Sequence, residues 1–159
     1  VAVTVKAAAL KTGGTSDLSA GNLKITINAE EDDTPAAALG DTKALTGTVK
    51  NDSSDSIAST DTIEIQLTGG ATFNAITTSG ILADYITFSD TLPSGLTPVL
   101  VSDVAEGATS ATIKFTGAVT SATDTAGVDV AVTVKAAALK TGGTSDLPAG
   151  NLKITINEN

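Results

Sequence analysis

Apolar and polar residues alternate one for one along several short stretches of the chain. Val1, Val3 and Val5 alternate with Ala2, Thr4 and Lys6, and Leu23, Ile25 and Ile27 alternate with Lys24, Thr26 and Asn28. The stretch 62–68 sets Ile63, Ile65 and Leu67 on one side, and 110–116 does the same with Ala111, Ile113 and Phe115. Successive side chains leave a strand on opposite faces, so a period of two predicts half-buried β-strands. Further strands are predicted over 44–50, over 81–88 with Ile81, Leu82, Tyr85, Ile86 and Phe88 toward a core, over 98–104, over 128–134 and over 151–157. Pro98 suits a sheet edge because it has no N–H to donate. Residues 7–10 suit a short helical turn, whereas 11–20, 51–60 and 120–127 have the Gly, Ser, Thr, Asn and Asp content of loops. Roughly seven to nine short strands with close turns and no long helix predict an all-β, two-sheet sandwich.

One segment occurs twice. Residues 1–28 and 130–157 are the same sequence, offset by 129 positions, except that Ser19 stands where the second copy has Pro148. A lone strand pair is marginal in water, so the first copy needs a body to pack on. Three readings follow. The chain is one period of a tandem array plus the tail of the preceding repeat; or the terminal segment completes a neighbour's sheet by strand addition; or the duplication is artificial. The first two are compatible, and both make Val1, Val3, Val5, Leu23, Ile25 and Ile27 an assembly interface. Between the copies, 29–41 (AEEDDTPAAALGD) breaks the β pattern with acids, Pro and Gly. It reads as an interdomain linker over 29–43, with a short helix at 35–39 that Pro35 would open. The sandwich is then expected at 44–159, ending in the second copy. No signal peptide is visible in this sequence, which opens directly in a strand-like pattern as expected of a mature or excised piece of a longer protein.

Composition narrows the chemistry. The chain has three Phe, one Tyr and no Trp or Met, so the core must be aliphatic. It has no Cys and no His, which removes thiolate and imidazole nucleophiles and bases and the usual zinc ligands. It has no Arg, so all nine cations are Lys, and the formal net charge is −9. That charge repels nucleic acid and anionic membranes. No apolar run approaches the ~20 residues of a membrane-spanning helix. Paired carboxylates are available, but so few aromatic rings offer little to grip a sugar. An enzyme is not expected, and no cofactor other than calcium is suggested.

The order TIEIQLTGGATF, DYITFSDTLPSGLTPVLVSD, SATIKFTG and VDVAVTVKAAAL through LPAGNLKITI resembles the immunoglobulin-like repeats of large prokaryotic surface proteins. DYITF (84–88) and LPAGNLKITI (147–156) are similar to the X2-type modules found beside carbohydrate-active domains. The resemblance covers about 44–157. It implies an extracellular spacer or scaffold and supplies no catalytic residue; the duplication makes copies of the chain itself or adjacent repeats the expected partners. The rival class is a carbohydrate- or receptor-binding module.

Glu30, Glu31, Asp32 and Asp33 offer hard oxygen ligands for Ca²⁺ between repeats, against the plainer reading of a solvated acidic linker. Asn51, Ser53 and Asp55 have the spacing that opens a calcium loop but lack its Gly. Asp17 and Asp146 read as turn formers. Lys135, Asn157 and Glu64 hold the residue types of a Lys–Asn isopeptide crosslink with its acid, against the reading of three surface residues. Asn51-Asp52-Ser53 is an N-glycosylation sequon.

Overall fold

The computed structural model describes residues 2–5, 18–22 and 34–159. The chain divides into two units, Val1–Glu31 and Asp32–Asn159. In the first, β1 (Ala2–Val5) pairs antiparallel with β2 (Leu18–Asn22). The second contains β3 (Ala36–Leu39), β4 (Ala44–Thr48), β5 (Thr62–Thr68), β6 (Thr72–Phe73), β7 (Ile86–Phe88), β8 (Thr97–Leu100), β9 (Ser110–Thr116), β10 (Val128–Val134), β11 (Leu139–Thr141) and β12 (Leu147–Asn157).

These strands form a β-sandwich. One sheet has the order β3-β5-β9-β8 and the other β4-β12-β10-β7, while β6 and β11 pair in a small third sheet. Among the described residues every pairing of named strands is antiparallel except β4 with β12, which is parallel. The chain changes sheets between β3 and β4. The Gly40 N–H donates to the Glu64 carbonyl at 2.8 Å, holding the end of β3 on β5. Three residues on, the Lys43 carbonyl accepts from the Lys153 N–H at 2.9 Å and starts the ladder with β12.

The period-two pattern does the rest. Ile63, Ile65 and Leu67 of β5 and Ala111, Ile113 and Phe115 of β9 point inward from one sheet. Val130, Val132 and Val134 of β10 and Leu152, Ile154 and Ile156 of β12 point inward from the other. Together they belong to one buried, mainly aliphatic cluster, in which each Val, Leu, Ile or Phe contributes about 1.5–3 kcal/mol relative to exposure. Phe88 of β7 meets Phe115 of β9 edge to face, with ring centroids 5.5 Å apart, and so ties the two sheets together at their far side.

Four expectations are corrected. Residues 36–39 are strand β3, not a helix, and they lie inside the stretch read as linker 29–43. Ala-rich sequence favours helix only until tertiary pairing outweighs propensity; here β3 pairs with β5, and Leu39 is buried. The sandwich therefore begins before residue 44. The loop read over 11–20 gives way to β2 at Leu18, because 18–22 pairs with 2–5. Correspondingly, β12 begins at Leu147 rather than 151. Residues 81–88 are not one strand. A 3₁₀ turn occupies Leu82–Asp84, strand β7 is confined to Ile86–Phe88, and Ile81 is 69% exposed. The helical turn read at 7–10 lies outside the described residues; its counterpart in the second copy contains a 3₁₀ turn, Ala136–Ala138.

Phe115 is fully buried and bridges the sheets. Phe115→Ala is expected to cost about 3–5 kcal/mol, measured as a lowered urea midpoint with an unchanged slope.

Candidate functional site

The second copy of the duplicated segment is the hairpin β10–β12, set between β4 on one side and β7 on the other. Val130, Val132, Val134, Leu152, Ile154 and Ile156 are 0–1% exposed. Their counterparts, 129 positions earlier, are Val1, Val3, Val5, Leu23, Ile25 and Ile27. The sequence-predicted interface is thus the set of residues that makes the sandwich core in the second copy. Val3 and Val5 lie on β1; Val1, Leu23, Ile25 and Ile27 lie outside the described residues.

The two copies also share a register. In the first, Ala2 pairs with Asn22, Thr4 with Ser19 and Val5 with Leu18. In the second, Ala131 pairs with Asn151, Thr133 with Pro148 and Val134 with Leu147. Each pair is the other displaced by 129 positions. Both copies carry a register shift in the same place, next to Thr4 and Thr133. In the second copy Gly150 takes φ +104° beside this bulge, a conformation that costs glycine nothing. The one residue that differs, Pro148, is exposed.

Entry and exit of the sandwich are at opposite ends of β12. At the entry, Thr34 and Pro35 are gripped by two glycines with positive φ. A Cβ on Gly69 (φ +61°) would lie 1.9 Å from the Thr34 carbonyl oxygen. A Cβ on Gly142 (φ +107°) would lie 2.5 Å from the Ala71 Cβ and 3.4 Å from that of Pro35. Gly142 precedes β12. At the exit, Asn157 ends β12 opposite Thr48, and its carbonyl accepts from the Val49 N–H at 2.8 Å. Between the two ends, β4 and β12 hold five parallel register pairs, from Lys153–Ala44 to Asn157–Thr48.

The exit end is closed by polar contacts that the sequence pattern did not reveal. Buried Ser56 accepts from the Val119 N–H through its hydroxyl at 2.8 Å and from the Thr48 N–H through its carbonyl at 3.0 Å. Asp55 Oδ1 accepts from the Gly117 N–H at 2.6 Å. These bonds fasten β4 to the segment that follows β9. Ser56 carries no signal that distinguishes it from its neighbours in NDSSDS, and Asp55, noted for calcium-loop spacing, is instead bonded to a backbone N–H.

The isopeptide trio is not brought together. Lys135 follows Val134, which faces Leu147, whereas Asn157 ends the same strand ten residues later, about 30 Å away. Glu64 is on the other sheet, where it accepts from Gln66 Nε2 at 2.8 Å. Glu30, Glu31, Asp32 and Asp33 lie outside the described residues, as does Asp17. Among the described residues no three His, Cys, Asp or Glu side chains are grouped to hold a metal ion. Asn51 and Ser53 are exposed, and the Asp52 carboxylate of the sequon is bonded to the N–H and hydroxyl of Ser54. Asp146 accepts from the Ala136 N–H at 2.8 Å and closes the loop before β12.

No protein-family model matches the chain, and no curated protein matches it in sequence. Among solved structures it is similar to the chitinase ChiW of Paenibacillus sp. str. FPU-7, described as a cell-surface-expressed multi-modular enzyme machinery, with a TM-score of 0.54. The identity is 17%, and the match covers 82% of this chain and 14% of ChiW, so the likeness is one of fold with a small part of a much longer chain.

Several exposed carboxylates have folded-state partners, Asp103 and Asp124 among them. Asp103 is held below the ordinary carboxylate range by the N–H and hydroxyl of Thr78, and Asp124 by the Ala126 N–H and the Thr125 hydroxyl. A lowered folded pKa gives stability that is present above the unfolded value and lost as pH falls through the folded one. The melting temperature is therefore expected to fall from neutral pH to about pH 3, and less steeply in Asp103→Asn/Asp124→Asn. Thermal melts across that range check it, and identical slopes in the two proteins would contradict it.

Proposed function

We propose that the chain is a non-catalytic structural repeat of an extracellular surface protein, joined end to end to further copies of itself in a fibre, stalk, adhesin or surface layer. The observation that carries this reading is the placement of entry and exit at opposite ends of β12, combined with a duplication that restarts the same hairpin 129 positions earlier. A chain that enters at one end and leaves at the other extends a line of domains instead of folding them back. The strand order supports the immunoglobulin-like reading: β3-β5-β9-β8 and β12-β10-β7 follow the two-sheet order of constant-type domains, with β4 added beside the last strand. The likeness in fold to part of a cell-surface-expressed multi-modular protein supports the surface setting. A net charge of −9 favours solubility over association with nucleic acid.

The mechanism is mechanical. Tension along the line first loads β3 against β5 and, once β3 yields, pulls the start of β4 one way and the end of β12 the other. These strands are parallel neighbours, so the pull slides them past each other and stretches their hydrogen bonds together instead of one at a time.

A polyprotein of five copies of residues 29–157, pulled from its ends in an atomic force microscope, tests this. Each unfolding event is expected to release about 400 Å of chain. Thr155→Pro removes an N–H within the β4–β12 pairing and is expected to lower the force of every event. Forces equal to those of the parent would remove the β4–β12 pairing as the element that resists tension.

A further inference from the structure

We propose that β3 is a latch: residues 34–40 leave β5 together and return to it, about a hinge at 41–43, while the other strands of the sandwich stay folded. The latch goes beyond the end-to-end reading and holds whether or not copies are joined. Four observations carry it.

The extended form of β3 is imposed by its partner. Ala36-Ala37-Ala38-Leu39 recurs, residue for residue, as Ala136-Ala137-Ala138-Leu139. There the three alanines form a 3₁₀ turn, and Leu139 begins β11. The same four residues thus take two conformations in one chain, and Ala is a poor strand former. At 36–39 they are extended because they pair with residues 65–68 of β5.

β3 also buries little. Ala36 and Ala38 are exposed, Ala37 is half-buried, and Leu39 is the one buried side chain of the strand. Each of β5, β9, β10 and β12 puts at least three side chains into the core. A short edge strand with so few buried contacts opens more readily than the body it lies on.

Opening leaves that body intact. On its other side β5 stays paired with β9 over Thr62–Gln66. The opening stops at Lys43, whose carbonyl accepts from the Lys153 N–H at 2.9 Å and starts the ladder of β4 with β12. Asp41, Thr42 and Lys43 are all exposed, so the hinge has no buried side chain to drag out.

The catch is at the other end of β3, in the turn that follows β5. Gly69 and Gly70 have φ +61° and +73°. A Cβ on Gly69 would lie 1.9 Å from the Thr34 carbonyl oxygen and 2.9 Å from the Pro35 nitrogen, whereas a Cβ on Gly70 meets nothing within 4 Å. Alanine is strained by the backbone at both positions, but only at Gly69 does it push the start of β3 away. A closed latch covers the outer edge of β5; an open one bares it to pairing with any extended strand.

Hydrogen exchange of the full chain, followed amide by amide by NMR at low urea concentrations, tests this. The Ala38 and Gly40 amides are expected to exchange faster than those of Val130 and Leu152, and with little dependence on urea, because a local opening exposes little surface. In Gly69→Ala the Ala38 and Gly40 amides are expected to exchange about tenfold faster than in Gly70→Ala, with Val130 and Leu152 alike in the two. Ala38 and Gly40 amides that exchange only through the urea-dependent opening shared with Val130 and Leu152 would overturn the proposal. So would equal exchange at Ala38 and Gly40 in the two variants, or a Gly69→Ala chain that loses the whole sandwich, since β3 would then not part from the rest.

Discussion

The parallel pairing of β4 with β12 is the contact on which the rest of this sandwich depends. It joins the early part of the body to its last strand, and it exists because the chain leaves one sheet at Gly40 and enters the other at Lys43. Without that crossing, β3 and β4 would extend a single sheet, and β12 would be left as a bare edge able to pair with other chains. With it, the hairpin of β10 and β12 is held on both sides, by β4 and by β7, over a core that β5 and β9 supply from beneath. The same crossing puts entry and exit at opposite ends, which is the basis of the mechanical reading.

The core is made almost wholly of Val, Ile, Leu and Ala, with Phe73, Phe88 and Phe115 as its large members. Such a core depends on many small contacts and has no dominant anchor. Its specificity comes from register. A slip of one position would turn Val130, Val132 and Val134 outward, and the bulge at Gly150 fixes where the pairing must change step. That both copies of the hairpin carry the same change of step indicates that the register is encoded within the twenty-eight residues themselves.

Much of this was legible in the sequence, and the parts that were not have identifiable causes. β5, β9 and β10 were plain because one face is buried and the other solvated, which writes a strict alternation. The same alternation, together with the duplication, marks Val1, Val3, Val5, Leu23, Ile25 and Ile27 as the sequence counterparts of the core residues of β10 and β12. β3 was hidden because Ala36-Ala37-Ala38-Leu39 alternates nothing; its pairing with β5 is decided by tertiary context. Ile81 was misplaced because hydrophobicity alone does not tell a buried strand from a 3₁₀ turn ahead of one. Ser56 could not be singled out and Asp55 was noted only for calcium-loop spacing, since what distinguishes them is the N–H groups of Val119 and Gly117, more than sixty residues away.

Tyr85 is the only tyrosine in a chain without tryptophan. It stands at the head of β7, half-buried, and its carbonyl accepts from the Lys135 N–H at 2.8 Å, just where β10 ends. Any event that lifts the hairpin away from β7 must break that bond. The molecule thus carries its one tyrosine at the seam between β7 and the hairpin, and tyrosine emission from that place can be followed without attaching a dye.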